Sequence, residues 1–198
     1  MNQIHPTREA WLACAVEELR PMFGFVGRPL MAQRIRVSCG FPTTHSRTGA
    51  TGQCFAATAS ADASVEIMVS PELSEPLAVF ATLVAQLAHT TDGAMSYTSS
   101  TYGPTCAAMK LVKTGPTWRT TAVGAEFNDT FGAIVASLGD YPHATLTTEK
   151  KNTQSTRQMK AVCPSCGFII RLSKRWADQG MPTCHDGDTF NLVEEVQA

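Results

Sequence analysis

Three cysteines carry the plainest chemistry in the chain. Cys163-Pro164-Ser165-Cys166-Gly167 sets two thiols around a tight turn. That spacing lets both thiolates grip one metal ion while N–H groups of the turn bond the sulfurs. Cys184 follows after 17 intervening residues, a separation suited to the second half of a zinc ribbon. The fourth ligand is open between two neighbours: His185, adjacent to Cys184 and the favoured choice, and Asp186, which gives the more ordinary C-x-D spacing. The expected set is therefore Cys163, Cys166, Cys184 and His185. The plainer alternative is a pair of reduced thiols buried in a turn. A module of about 40 residues has little core of its own, so the expectation is one structural Zn2+ per chain.

A second constellation lies on a helix expected over residues 76–93. Leu77, Phe80, Ala81, Val84, Leu87 and Ala88 recur at the spacing of a core-facing stripe. Ala85, Gln86 and His89 occupy the places where an H-E-x-x-H helix carries its two zinc ligands and its general base. Only His89 keeps a ligand type. Asp92, one turn on, and His143 could in principle rebuild a metal site around it. The plainer expectation makes His89 a half-buried hydrogen-bonding residue in a filled pocket.

The third feature is charge. Lys150, Lys151, Arg157, Lys160, Arg171, Lys174 and Arg175 occur without an acidic residue between 150 and 175, beside Trp176. Residues 150–198 hold seven basic and five acidic groups, whereas residues 1–149 hold nine and twelve. Such a cluster suits a phosphate-tracking face for nucleic acid. It equally suits a solvated linker and a solubilising surface.

The elements that must position these groups follow from the rest of the 198 residues. A hydrophobic content of 43% and a charged content of 17% fit a globular chain. The net charge of −1 singles out no partner. No run reaches the roughly 18 apolar residues of a membrane span, and the N-terminus lacks a signal-peptide layout. The expected compartment is the cytoplasm. Thr7 is placed to cap a first helix running to about residue 19, where Pro21 and Gly24 stop it. Strands are expected near 33–39, 53–56 and 64–69, in antiparallel order, with a mobile loop over 41–52. Helices are expected over 104–112 and 122–138. A polar linker, 146–158, would separate a domain of residues 1–145 from a ribbon module, 159–198. The fold class is α+β, a small antiparallel sheet with flanking helices plus a C-terminal zinc ribbon. Cys14, Cys39, Cys54 and Cys106 read as reduced core thiols. No P-loop, G-x-G-x-x-G or G-x-S-x-G is present.

Taken together, the chain resembles the SprT-like zinc metallopeptidase family, in particular short phage and bacterial members. The resemblance runs through Arg34-Ile35-Arg36-Val37-Ser38-Cys39-Gly40, Gly52-Gln53-Cys54, Glu66-Ile67-Met68-Val69-Ser70-Pro71-Glu72 and the central helix. It continues in Tyr141-Pro142-His143-Ala144 and ends in the cysteine knuckle with Arg175-Trp176. It implies a small zincin-like domain followed by a zinc ribbon, and better-studied relatives cleave proteins crosslinked to DNA. The family's His-Glu-x-x-His falls on Ala85, Gln86 and His89, and its downstream histidine falls near Thr101. Ala85 offers no lone pair, and Gln86 cannot take a proton from a metal-bound water. The resemblance thus implies a catalytically silent member that binds a protein partner, a nucleic acid, or both. The alternatives are a peptidase with displaced ligands and a structural component of an assembly.

Overall fold

The computed structural model describes residues 4–31, 34–93, 96–147 and 158–193. The chain divides into two compact units, Met1–Thr148 and Glu149–Ala198. Most of the polar stretch 146–158 lies outside the described residues.

In the first unit, α1 (Arg8–Phe25) starts at Thr7, whose hydroxyl accepts the Ala10 N–H at 3.1 Å. The helix runs six residues beyond the expected end, through Pro21. A proline inside a helix removes one backbone bond and costs about 3 kcal/mol when uncompensated. Phe23, fully buried beyond it in the same face as Trp11, Leu12 and Leu19, supplies the packing that carries the helix on.

The sheet corrects the sequence expectation. Strands β1 (Ile35–Cys39), β2 (Gly52–Phe55) and β3 (Val65–Val69) lie in the order β1-β3-β2. Strand β3 is antiparallel to β2 but parallel to β1, so the sheet is mixed. The reason is placement: β3 sits centrally, with Val65, Ile67 and Val69 buried. The chain therefore passes from β1 to β2 leaving one place open, then turns back antiparallel to lay β3 between the two. A one-turn helix, α2 (His45–Thr48), occupies part of the loop before β2.

Helix α3 (Pro76–Ala88) is the centre of the unit. The Glu75 carboxylate caps it by accepting the Leu77 and Ala78 N–H groups, and Pro76 opens the first turn. Phe80, Leu83, Val84 and Leu87 are fully buried. A 3-10 turn over His89–Thr91 closes it, with the Thr90 and Thr91 hydroxyls donating to the carbonyls of Leu87 and Ala88.

After α4 (Tyr102–Ala108) comes a hairpin where the sequence suggested helix: β4 (Leu111–Lys113) pairs with β5 (Thr121–Val123). Lys110, at φ 63°, breaks the helical path, and the Gly124 N–H bonds the Lys110 carbonyl at 2.9 Å. Helix α5 (Phe127–Leu138) consequently begins five residues later than expected. Its Phe127 and Phe131 join Phe80, Trp11 and Tyr141 in one aromatic core.

The second unit contains β6 (Gln158–Val162), β7 (Ile169–Ser173), the one-turn α6 (Lys174–Ala177) and β8 (Asn191–Leu192), in a sheet ordered β7-β6-β8. Its small core is Ala161, Cys163, Cys184 and Phe190, with Ile170, Leu172 and Met181 against it. The protein is α+β, with small sheets and helices in separate stretches.

Candidate metal centre and groove

Two turns build the candidate metal centre. In the first, the Gly167 N–H bonds the Cys163 carbonyl at 3.1 Å; in the second, the Gly187 N–H bonds the Cys184 carbonyl at 3.0 Å. Both glycines have positive φ, 73° and 92°, which a side chain would strain. The turns carry Cys163, Cys166, Cys184 and Asp186, whose ligating atoms all lie within 4.8 Å of one another. Cys166 Sγ is 3.4 Å from Cys184 Sγ, and Cys163 Sγ is 3.7 Å from an Asp186 carboxylate oxygen. A tetrahedral zinc with sulfur ligands at about 2.3 Å needs edges of roughly 3.8 Å. Three thiolates and a carboxylate in this arrangement fit that ion. Backbone N–H donation, the Cys166 amide foremost, holds the Cys163 thiol below its ordinary pKa.

Asp186, and not His185, completes this group. Neighbouring side chains on one turn point apart, and Cys184 takes the inward position. His185 Nδ1 does approach Cys184 Sγ at 3.2 Å, but His185 is not among the four mutually close donors. A signal for Asp186 was present in the sequence: it precedes Gly187 as Cys166 precedes Gly167. Among the described residues no other such group of three or more donors occurs.

The positions on α3 take a different arrangement. Ala85, Gln86 and His89 are all buried, at 5%, 6% and 4% exposure. Ala85 and Gln86 line a groove of about 400 Å³ along the helix. One wall is the segment Thr48–Gly52, and the other includes Arg119 and β5. Gly52 makes the wall tight: a Cβ there would lie 2.8 Å from Thr82 Cγ2 and 2.9 Å from Gln86 Cγ. Tyr97 and Tyr102 also line the groove, and His89 packs against both, stacked on Tyr102 and edge-on to Tyr97. Burial pushes the His89 pKa down to about 4, against a smaller upward pull from Asp92. The ring is neutral at pH 7.

The groups proposed to rebuild a site around His89 have other partners. Asp92 accepts hydrogen bonds from the Ser99 and Thr101 hydroxyls, and Ser99 in turn accepts the Tyr102 N–H that starts α4. Thr101 thus serves that loop. Both ring nitrogens of His143 are engaged, one with an Arg8 guanidinium nitrogen at 3.1 Å and one with the Pro71 carbonyl at 2.7 Å. Burial raises the Cys54 and Cys106 thiols to about 12 and about 11, so neither is an activated nucleophile.

Of the basic residues, Lys150, Lys151 and Arg157 lie outside the described residues. Lys160 and Arg171 face each other directly across β6 and β7. Lys174 pairs with Asp178 at 3.0 Å, and the Arg175 guanidinium lies 5.6 Å from the Trp176 ring.

The groove walls were the part sequence reasoning missed. Val112, Thr120, Thr121 and Val123, β-branched residues either side of Gly115-Pro116, were the available hairpin signal. The fold and its sites thus define an α+β protein with a Cys/Asp cluster that could hold a metal ion and a groove along a central helix. Compared with family models, curated proteins and solved structures, the chain matches none. No helix among the described residues is long and apolar enough to cross a membrane.

Proposed function

We propose that this is a catalytically silent, SprT-like binding protein: a zincin-like domain whose groove holds a protein segment, joined to a ribbon stabilised by zinc. One observation carries the reading. The groove is kept along the helix, while the three places that would serve a metal offer a methyl group, an amide and a neutral imidazole stacked on tyrosine. Catalytic zinc needs three protein ligands and a base for its water. Ala85 and Gln86 supply neither, and the bonds of Asp92 and His143 argue against displaced ligands.

For nucleic acid, one arrangement favours a second contact on the ribbon. Lys160 and Arg171 are like charges opposed on a single sheet face, a destabilising pair that an anion would relieve. No carboxylate pairs with either among the described residues. Exposed Phe168, Ile169 and Trp176 in the same unit offer apolar surface for bases. A purely structural role in an assembly would need neither.

The test is zinc content and proteolysis together. The wild type and His89→Phe should each hold one zinc, and neither should cleave casein or a DNA-crosslinked protein. Casein should still bind. Cleavage that a chelator abolishes would overturn the reading, as would a second zinc lost in His89→Phe. A labelled single-stranded oligonucleotide should bind with a salt slope that falls by about 0.7 for each of Lys160→Ala and Arg171→Ala.

A further inference from the structure

We infer that the groove along α3 is selective for peptides bearing a carboxylate, with the Gln86 amide pairing a peptide group and Arg119 receiving the charge. This rests on the proposed binding role of the groove and specifies its ligand.

Two independent observations point to a ligand. The first is Gln86, which is nine-tenths buried and lines the groove, yet its Oε1 has no hydrogen-bond partner. A buried amide oxygen without a donor costs about 1–3 kcal/mol. That oxygen is itself shielded from solvent, so a peptide group, with one donor and one acceptor, satisfies the amide by drawing the side chain into the groove.

The second observation is charge. Among the described residues Arg119 is the one charged residue lining the groove, and none of those lining it is a carboxylate. Its guanidinium lies 5.7 Å from the centroid of the Tyr97 ring, which holds the side chain over the groove. Among the described residues it has no acidic partner. A guanidinium presents a planar fork that matches a carboxylate. Six threonines line the remaining surface and can bond further peptide carbonyls. The volume, about 400 Å³, holds a few residues of an extended chain. The carboxylate belongs either to a chain terminus or to an Asp or Glu side chain, and both present the same group to Arg119.

Calorimetry with three acetylated pentapeptides, Ala-Thr-Ala-Thr-Ala with a free carboxylate, the same chain amidated, and an amidated chain with a central Asp, tests the inference. The free-acid or the Asp peptide should bind at least about tenfold more tightly than the neutral one, and whichever does identifies the source. A charge-assisted hydrogen bond is strong enough for that ratio. Arg119→Gln, an exposed change that leaves the core untouched, should bring the ratio to about one. Gln86→Leu should weaken all three by a similar factor and preserve the ratio. Equal affinities in the wild type, or an unchanged ratio in Arg119→Gln, overturn the inference. Silence for all three peptides overturns it too, and casein binding then decides whether the groove reading falls with it.

Discussion

His89 lies flat on Tyr102, the ring centroids 4.1 Å apart and the planes 16° from parallel. Tyr97 meets the same imidazole edge-on at 4.7 Å. A histidine so enclosed cannot take up a proton cheaply, and its Nδ1 has no partner to stabilise one. The ring behaves as a member of the aromatic packing beneath the groove, not as a group offered to it.

A pH dependence follows. The unfolded chain protonates His89 near pH 6.5, the folded chain only near pH 4. Between those values the unfolded state binds the extra proton, so the contribution of this ring is full above about pH 6.5 and falls as the pH drops toward 4. The loss is on the order of 3 kcal/mol. His89→Phe keeps a ring in the stack and removes the titration. Unfolding free energies from urea titrations at pH 7 and pH 4.5 should therefore differ between the wild type and the variant by most of that amount. Parallel acid slopes in the two proteins would place the titration elsewhere.

The metal module separates two adjacent residues. Asp186→Asn should lower zinc affinity by more than the roughly 10–100-fold typical of changes in outer-shell partners. His185→Ala should leave the stoichiometry at one zinc per chain. Competition with a chromophoric chelator measures both. The reverse ranking would return the fourth position to His185. Chelation of the wild type should unfold the second unit, since half of its core of Ala161, Cys163, Cys184 and Phe190 consists of cysteines from the cluster that could hold the metal.

What was legible in the sequence was local. The first knuckle is a turn with its ligands at fixed spacing, so it could be read from five residues. The stripe of α3 could be read from its period for Phe80, Ala81, Val84, Leu87 and Ala88, all buried, whereas Leu77 is only half-buried. The burial of Val79, Leu83, Ala85 and Gln86 on the helix's other faces follows from packing that the period does not show. The second knuckle was harder to read, because the choice between His185 and Asp186 depends on a turn shaped by Gly187, and only the place of that glycine after Asp186 signals it. Sheet direction was illegible for another reason: the parallel pairing of β1 with β3 is fixed by which strand is most buried. The hairpin β4-β5 was hidden by apolar residues that also suit a helix, and with it went Arg119 and half the groove.

Trp11 ties the two ends of the first unit together. Its indole N–H donates to the Gly139 carbonyl at 3.1 Å, and its ring meets Phe80 and Tyr141 edge-on. Trp11→Phe preserves most of the apolar contact and leaves that carbonyl unbonded, at a cost of about 1–3 kcal/mol. Trp11→Ala also opens a cavity and should cost about 3–5 kcal/mol. Thermal unfolding followed by near-ultraviolet circular dichroism distinguishes them. A Phe variant as unstable as the Ala variant would mean that the hydrogen bond outweighs the packing.

Gly52 sets the width of the groove, and its substitution reports on the contact directly. A methyl group there would meet Thr82 Cγ2 at 2.8 Å and Gln86 Cγ at 2.9 Å, closer than side chains pack. Strand β2 is paired with β3 along its length and α3 is buried, so neither backbone can retreat freely. Gly52→Ala should cost about 1–3 kcal/mol as an overpacked site. Shortening the obstructing side chain should recover part of that loss. The double variant Gly52→Ala/Gln86→Ala is therefore expected to be more stable than the sum of its single changes, by about 0.5 kcal/mol or more. Denaturant midpoints for the four proteins of the cycle measure the coupling. Strict additivity would mean that Thr82 alone takes the strain, with β2 held off Gln86 in solution.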